Sequence, residues 1–458
     1  MGQIANAILI IGASFFAISL LLNVGNFIKY LQSIRGSAKF LGLVWFIWLI
    51  GLGLWFGRDE PRVALGIMDR SALLQVMSVV IGGIAFIVLS INNAWVKNLR
   101  GPLLFLILYG IYGVLTSPVS PAVYLSVFKA ISIVILALLG VVAVNILRKQ
   151  NHSEFLVEIS CFYFSILLLL SALGGVLVPH ITRKPNPGLF GFLLEGFPHL
   201  NSNSLSYIAA IVAITALCQY GSNNYKFSSK TYVISKIILA MSVLLLAQGR
   251  TAIIGLLLSF VMLSVYMPKL RYLLFMIFFA ILLGYANYAI TGNLGDGFGT
   301  VEAYLRRGAT EKSLASMSGR TDAWSIGWES FLKAPGIGHG FYSSNFIGIA
   351  AHNSYINVLI DCGMIGFSIW FAMLASTLNR CLFVINRWSK NEDFDRYTFN
   401  LQIGSILIIQ FLRTITGSDI TVNSYSLILF TSIIVYVYSV DTMKCATEKT
   451  DLVQYPTN

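Results

Sequence analysis

Apolar runs long enough to cross a bilayer recur along this chain almost from end to end, and they leave few folds open. A helix needs about 20 predominantly apolar residues to span the hydrocarbon core. Inside lipid, only helices and closed barrels satisfy their own backbone groups. The runs fall near 7–28, 40–57, 73–95, 102–117, 122–146, 156–178, 203–220, 231–248, 251–267, 272–290, 354–376, 399–416 and 424–440. Their lengths predict an all-α integral membrane protein with about 12–13 transmembrane helices. Of the 458 residues only 11% are charged and 57% are hydrophobic. Soluble domains carry roughly 25% charged residues, so a soluble globular fold is excluded.

The order of the runs predicts one polytopic domain with five parts. Residues 1–178 hold N-terminal transmembrane helices, and 179–290 hold central ones with a tight turn at Arg250. A large external loop over 291–351 follows, then C-terminal helices over 352–440 and a cytoplasmic tail over 441–458. The N-terminus has neither a basic leader nor a small-residue cleavage site, so its first run reads as a retained span. The five cysteines are scattered and form no CxxC pair, which supports neither a disulfide scaffold nor a metal knuckle.

The net charge of +12 is mostly a matter of topology, not of nucleic acid. Lys29, Arg35, Lys39, Lys97, Arg100, Arg148, Lys149, Lys226, Lys230, Lys269, Arg271, Arg380, Arg387, Lys390 and Arg396 fall in loops on one side. The positive-inside rule makes that side the cytoplasm. Basic residues on the other face need a different explanation. They include His180, Arg183, Lys184 and His199 in the 179–202 loop, Arg250 in its turn, and several in the long loop. A loop longer than about 12–15 residues is usually functional or disordered, and this one carries aromatics, glycines and a helical pattern. Trp324, Trp328, Phe331 and Leu332 recur on one helical face. Ser318 or Thr321 would cap that helix and Pro335-Gly336 would end it. It is expected at the membrane interface with its tryptophans at headgroup depth.

Three external elements carry chemistry. Arg250 sits between two apolar runs. Arg320 begins the interfacial helix, where the free N–H groups and the macrodipole favour an anion. His352-Asn353 stands at the outer end of the next span. Arginine binds two phosphate oxygens at once and stays charged, and histidine takes a proton near neutral pH. Taken singly, Arg250 could be a snorkelling arginine and His352 a capping one. Together on one face they fit group transfer from a lipid-linked diphosphate. Arg306 and Arg307 either grip phosphate or balance Asp296, Glu302 and Glu311. Arg183 and Lys184 are candidates for attracting lipid headgroups, Arg413 with Asp419 for an internal ion pair, and Lys129 for the bundle interior or for snorkelling. His339, between two glycines, reads as structural.

Four stretches then form an ordered set: Gln248-Gly249-Arg250-Thr251-Ala252, Ser318-Gly319-Arg320-Thr321-Asp322-x-Trp324, Pro335-x-x-Gly338-x-Gly340, and His352-Asn353-Ser354-Tyr355 running to Gly363-x-x-Gly366. The set resembles the O-antigen ligase and polymerase superfamily over about residues 185 to 375. The resemblance implies a metal-independent, inverting glycosyltransferase of the membrane-embedded GT-C type that needs no cofactor. Its donor would be an undecaprenyl-diphosphate-linked glycan at the periplasmic face of the bacterial inner membrane. Arg250 and Arg320 would hold the diphosphate, His352 would be the base, and Asn353 and Trp324 would contact substrate. Pro198-His199-Leu200-Asn201 is similar to the family's H-x-N element, which makes His199 and Asn201 further substrate contacts.

The wording of the arginine and histidine stretches favours a polymerase that joins O-antigen, capsule or exopolysaccharide repeat units, with glycan as acceptor and a chain-length regulator as a candidate partner. The alternative is a ligase that moves finished polysaccharide onto lipid A–core. A transporter or flippase is the third reading, and it predicts charges near the midplane of paired, broken helices.

Overall fold

The computed structural model describes residues 2–53, 70–91, 93, 95–185, 192–196, 200–222, 229–276, 320–348, 351–387, 394–417, 420–422 and 424–453. Among these the architecture is helical, apart from one short hairpin. The helices are α1 (Gly2–Ser33), α2 (Gly36–Gly53), α3 (Arg70–Ser90), α4 (Gly101–Thr116), α5 (Val123–Gln150) and α6 (Phe155–Leu177). After the strands β1 (Arg183–Pro185) and β2 (Phe192–Leu194) come α7 (Ser202–Ser222), α8 (Lys230–Ala247) and α9 (Arg250–Tyr266). The series closes with α10 (Arg320–Lys333), α11 (Ser354–Arg387), α12 (Phe394–Thr416) and α13 (Tyr425–Val453).

Nine described helices are long and apolar enough to cross a membrane, and three shorter ones, Gly36–Gly51, Arg250–Tyr266 and Tyr425–Val440, are also apolar. The protein is a multi-pass membrane protein. The predicted run near 272–290 lies outside the described residues beyond Met276, as do most of the 58–72 and 291–351 loops. α13 stays helical to Val453, well into the segment read as a polar tail. Met443, Lys444, Ala446, Glu448 and Lys449 are all good helix formers, so the polar composition there ends the span without ending the helix.

Serine is frequent inside the spans because its hydroxyl can be satisfied within its own helix. Ser165 Oγ donates to the Cys161 carbonyl at 2.9 Å, Ser206 Oγ to Ser202 at 2.7 Å and Ser405 Oγ to Leu401 at 2.8 Å. Ser432 does the same to Ile428 at 2.9 Å and also accepts the Trp45 indole N–H at 3.0 Å. Lys129 is buried in α5, which fits the interior placement and not the snorkelling one.

The chain folds as two compact units built from interleaved segments. The first comprises Met1–Tyr30, Cys161–Thr321 and Asp393–Arg413, and the second Leu31–Ser160, Asp322–Glu392 and Thr414–Asn458. In the first unit, α7 packs against both α8 and α9. The strands pair antiparallel with Arg183 opposite Leu194. Arg183 is half-buried and held by its own unit. Its guanidinium donates to the Gly175 carbonyl at 2.8 Å and to Asn6 Oδ1, and it lies over the Phe192 ring.

In the second unit, α4 packs on α5 and α11, and α13 on α5. α11 is broken at Gly363, whose φ of 60° and ψ of −166° suit only glycine. A break inside a helix orphans backbone groups on both sides. The Pro335–Gly340 loop supplies the partners. Met364 N–H donates to the Pro335 carbonyl at 2.8 Å and Ile365 N–H to Gly336 at 3.4 Å, while His339 N–H donates to the Ile360 carbonyl at 2.8 Å. A Cβ on Gly363 would overlap the Gly336 carbonyl, and one on Gly338 would come 2.5 Å from the Asp361 backbone. The two glycine-bearing stretches singled out in the sequence are therefore halves of one interlock.

Candidate active site

The Arg250 turn is built from its backbone. α8 ends on Gln248 in the left-handed region (φ 54°, ψ 37°), and Gly249 is the N-cap of α9. A Cβ on Gly249 would overlap Ser206 in α7, so glycine lets the turn lie directly on that helix. Arg250 is the first residue of α9 and is half-buried.

Beside it a pocket opens, lined by Gly249, Thr251 and Ala252, by Asn203 and Tyr207 of α7, by Arg320, and by Ile409 and Arg413 of α12. All of these residues belong to the first unit. Asn203, Gly249, Thr251, Ala252 and Arg320 stand at or near the starts of their helices, which present N–H groups and positive dipole ends. Arg413 is in the last turn of α12. Its Nη2 donates to Ser204 Oγ at 3.3 Å, and Ser204 N–H in turn donates to Asn201 Oδ1 at 2.8 Å. Burial lowers the pKa of the Arg320 guanidinium, and the positive charges of Arg413 and Arg250 push it the same way. The positive charges and helix N-termini around this pocket favour an anion there.

His352 belongs to the second unit, is exposed, and has a positive φ of 47°. The next residue, Asn353, is buried and caps α11. Its Oδ1 accepts the backbone N–H of Tyr355 at 2.9 Å and of Ile356 at 3.3 Å. On the other side of His352, the Ala351 carbonyl accepts the Trp324 indole N–H at 2.8 Å. Both flanks of the histidine are therefore pinned. Deeper in α11, the buried Asp361 carboxylate accepts Ser344 N–H at 2.6 Å, Ser343 Oγ at 3.0 Å and Ser344 Oγ at 3.2 Å. It fastens the 343–345 turn to the broken helix. His339 donates from Nε2 to the Ser330 carbonyl at 2.9 Å, the structural role expected of it.

Residues 236–371 match the protein family described as O-Antigen ligase. The chain carries an O-antigen ligase family domain. The match supports a membrane enzyme of the ligase or polymerase type, and the family implies glycosyl transfer with lipid-linked glycan substrates. A comparison of the whole chain with curated proteins yields no match.

The O-antigen ligase domain contains Arg250, Arg320, Trp324, His352 and Asn353, and it begins after Asn201 and ends before Arg413. Of the residues singled out in the sequence, Arg250 and Arg320 are brought together, and Trp324 is brought to the residue next to His352. Asn201 is a helix cap that organises Ser204. His199, Arg306, Arg307 and Ser318 lie outside the described residues. α10 starts at Arg320, so Thr321 lies inside the helix and does not cap it. Its buried face is Gly327, Ser330 and Phe331, while Trp328 and Leu332 are exposed, so the four aromatic and apolar positions do not share one environment. Arg413, Asn203, Tyr207 and Asp361 were not among the expected site residues. The signal for Asp361 was an acid alone in an apolar run, and for Arg413 a cation at the end of one.

Proposed function

We propose that the protein is a polysaccharide polymerase. It joins oligosaccharide repeat units carried on undecaprenyl diphosphate at the periplasmic face of the bacterial inner membrane. Arg250 and Arg320 bind the diphosphate, and His352 removes the proton from the acceptor hydroxyl as its oxygen attacks the anomeric carbon. The bond from that carbon to the diphosphate oxygen breaks, the electron pair leaves with the diphosphate, and the configuration inverts. Asn353 acts on His352 through the α11 cap, and Trp324 through Ala351. The observation that carries this reading is the convergence of guanidinium groups and helix N-termini on one pocket, in a chain with an O-antigen ligase domain. Donors already in place where charge develops are the largest contribution in many such reactions.

A ligase that transfers finished polysaccharide to lipid A–core uses the same donor and the same residues, and the description of the matched family favours it. A glycolipid gel of a deletion strain separates the two. Core bearing a single repeat unit, with no polymer, establishes the polymerase. Full-length polymer left on the undecaprenyl carrier establishes the ligase. Unchanged glycolipids would remove both.

A further inference from the structure

A guanidinium in the last turn of a membrane span is costly to keep, most of all toward mid-membrane. Arg413 is such a residue. It shares a pocket with Arg320, where two like charges repel and a bound anion relieves the repulsion. It is also well placed in advance. Ser204 holds its Nη2, and the Asn201 cap holds Ser204.

Charge counting on the proposed reaction gives this third cation a task. A glycan joined to a lipid through diphosphate carries two negative charges, one on each phosphate. When the bond to the anomeric carbon breaks, the electron pair stays on the diphosphate, which leaves with a third charge. Arg250 and Arg320 match the donor, and one more guanidinium matches the leaving group. A contact that strengthens as the charge appears speeds the reaction more than it tightens donor binding.

We propose that Arg413, held by Ser204, is the third arm of the diphosphate site and balances the charge released as the glycan departs. The proposal rests on the donor assigned above. The test uses the purified full-length protein in detergent and two probes. Farnesyl diphosphate stands for the leaving group, and its terminal methyl ester for the donor. Arg413→Gln is expected to weaken farnesyl diphosphate binding about tenfold or more and the methyl ester about threefold or less. Arg413→Lys, which keeps the charge, and Ser204→Ala, which loosens its support, should each show a smaller loss with the same preference. They also decide the matter if Arg413→Gln does not fold. Equal weakening of both probes, or no change in either, overturns the role of Arg413 while leaving the donor reading intact. A wild-type protein that binds neither probe overturns the donor reading itself, and this proposal with it.

Discussion

Trp324 donates its indole N–H to the carbonyl of Ala351 across 2.8 Å, joining the helix that Arg320 begins to the residue just before His352. The sequence pattern reads Trp324 as an interfacial aromatic, yet its polar edge is what the fold uses. A neutral hydrogen bond contributes about 0.5–1.5 kcal/mol net. On the proposed mechanism its larger effect is on position, since a small displacement of a reacting group can cost far more in rate.

Trp324→Phe keeps the ring and removes the donor. The expected result is a thermal midpoint lowered only slightly, with transfer activity down about tenfold. Transfer would be measured as long-chain polysaccharide made in a strain lacking the wild-type gene. Full activity in this variant would show that the tether does not place His352.

His352 adopts a φ of 47°, a region that costs a side chain roughly 1–2 kcal/mol and glycine almost nothing. His352→Gly should therefore fold at least as stably as wild type, and more stably than His352→Ala by about 1 kcal/mol. On the proposed mechanism both lose transfer while still binding farnesyl diphosphate. Stability comes from unfolding curves and binding from calorimetry. Residual transfer near the wild-type level in either variant would remove His352 as the base.

Much of the molecule could be read in its sequence because lipid leaves so few choices. Bilayer-length apolar runs, and the Gln248-Gly249 punctuation between two of them, predict the helices and the Arg250 turn from local chemistry alone. The site was legible only in part. Arg250, Arg320 and His352 stand out as polar groups in apolar or external surroundings. Arg413 lies outside the matched domain, and what places it beside Arg320 is helix packing, which has no local signature. The broken helix was hidden for a related reason. Gly363 looks like any glycine in a span until the Pro335–Gly340 loop is seen to fill the gap beside it. A broken helix with a nearby acid is also what a transporter would show, but the Asp361 carboxylate is taken up by Ser343 and Ser344.

The interlock predicts opposite outcomes for two glycines that face each other in it. Gly363→Ala places a side chain at a φ of 60° and into the Gly336 carbonyl, so it should destabilise the fold by more than about 3 kcal/mol. Gly336→Ala meets open space and should change the thermal midpoint little. Comparable yields and midpoints for both variants would contradict the close approach described for α11 and the loop.

The Arg250 turn offers a test in which a second substitution repairs the first. A Cβ at Gly249 would overlap the Cβ and Oγ of Ser206, so Gly249→Ala should push the turn away from α7. That would misplace Arg250 and cost several-fold in farnesyl diphosphate affinity. Ser206→Gly removes both obstructing atoms at a helix-propensity cost of about 1 kcal/mol. Because the two positions share one space, their effects should not add. The double variant is expected to bind farnesyl diphosphate better than Gly249→Ala alone, although Ser206→Gly by itself brings no gain. Strictly additive losses would mean that the turn does not rest on Ser206, and that Arg250 is placed by something other than this contact.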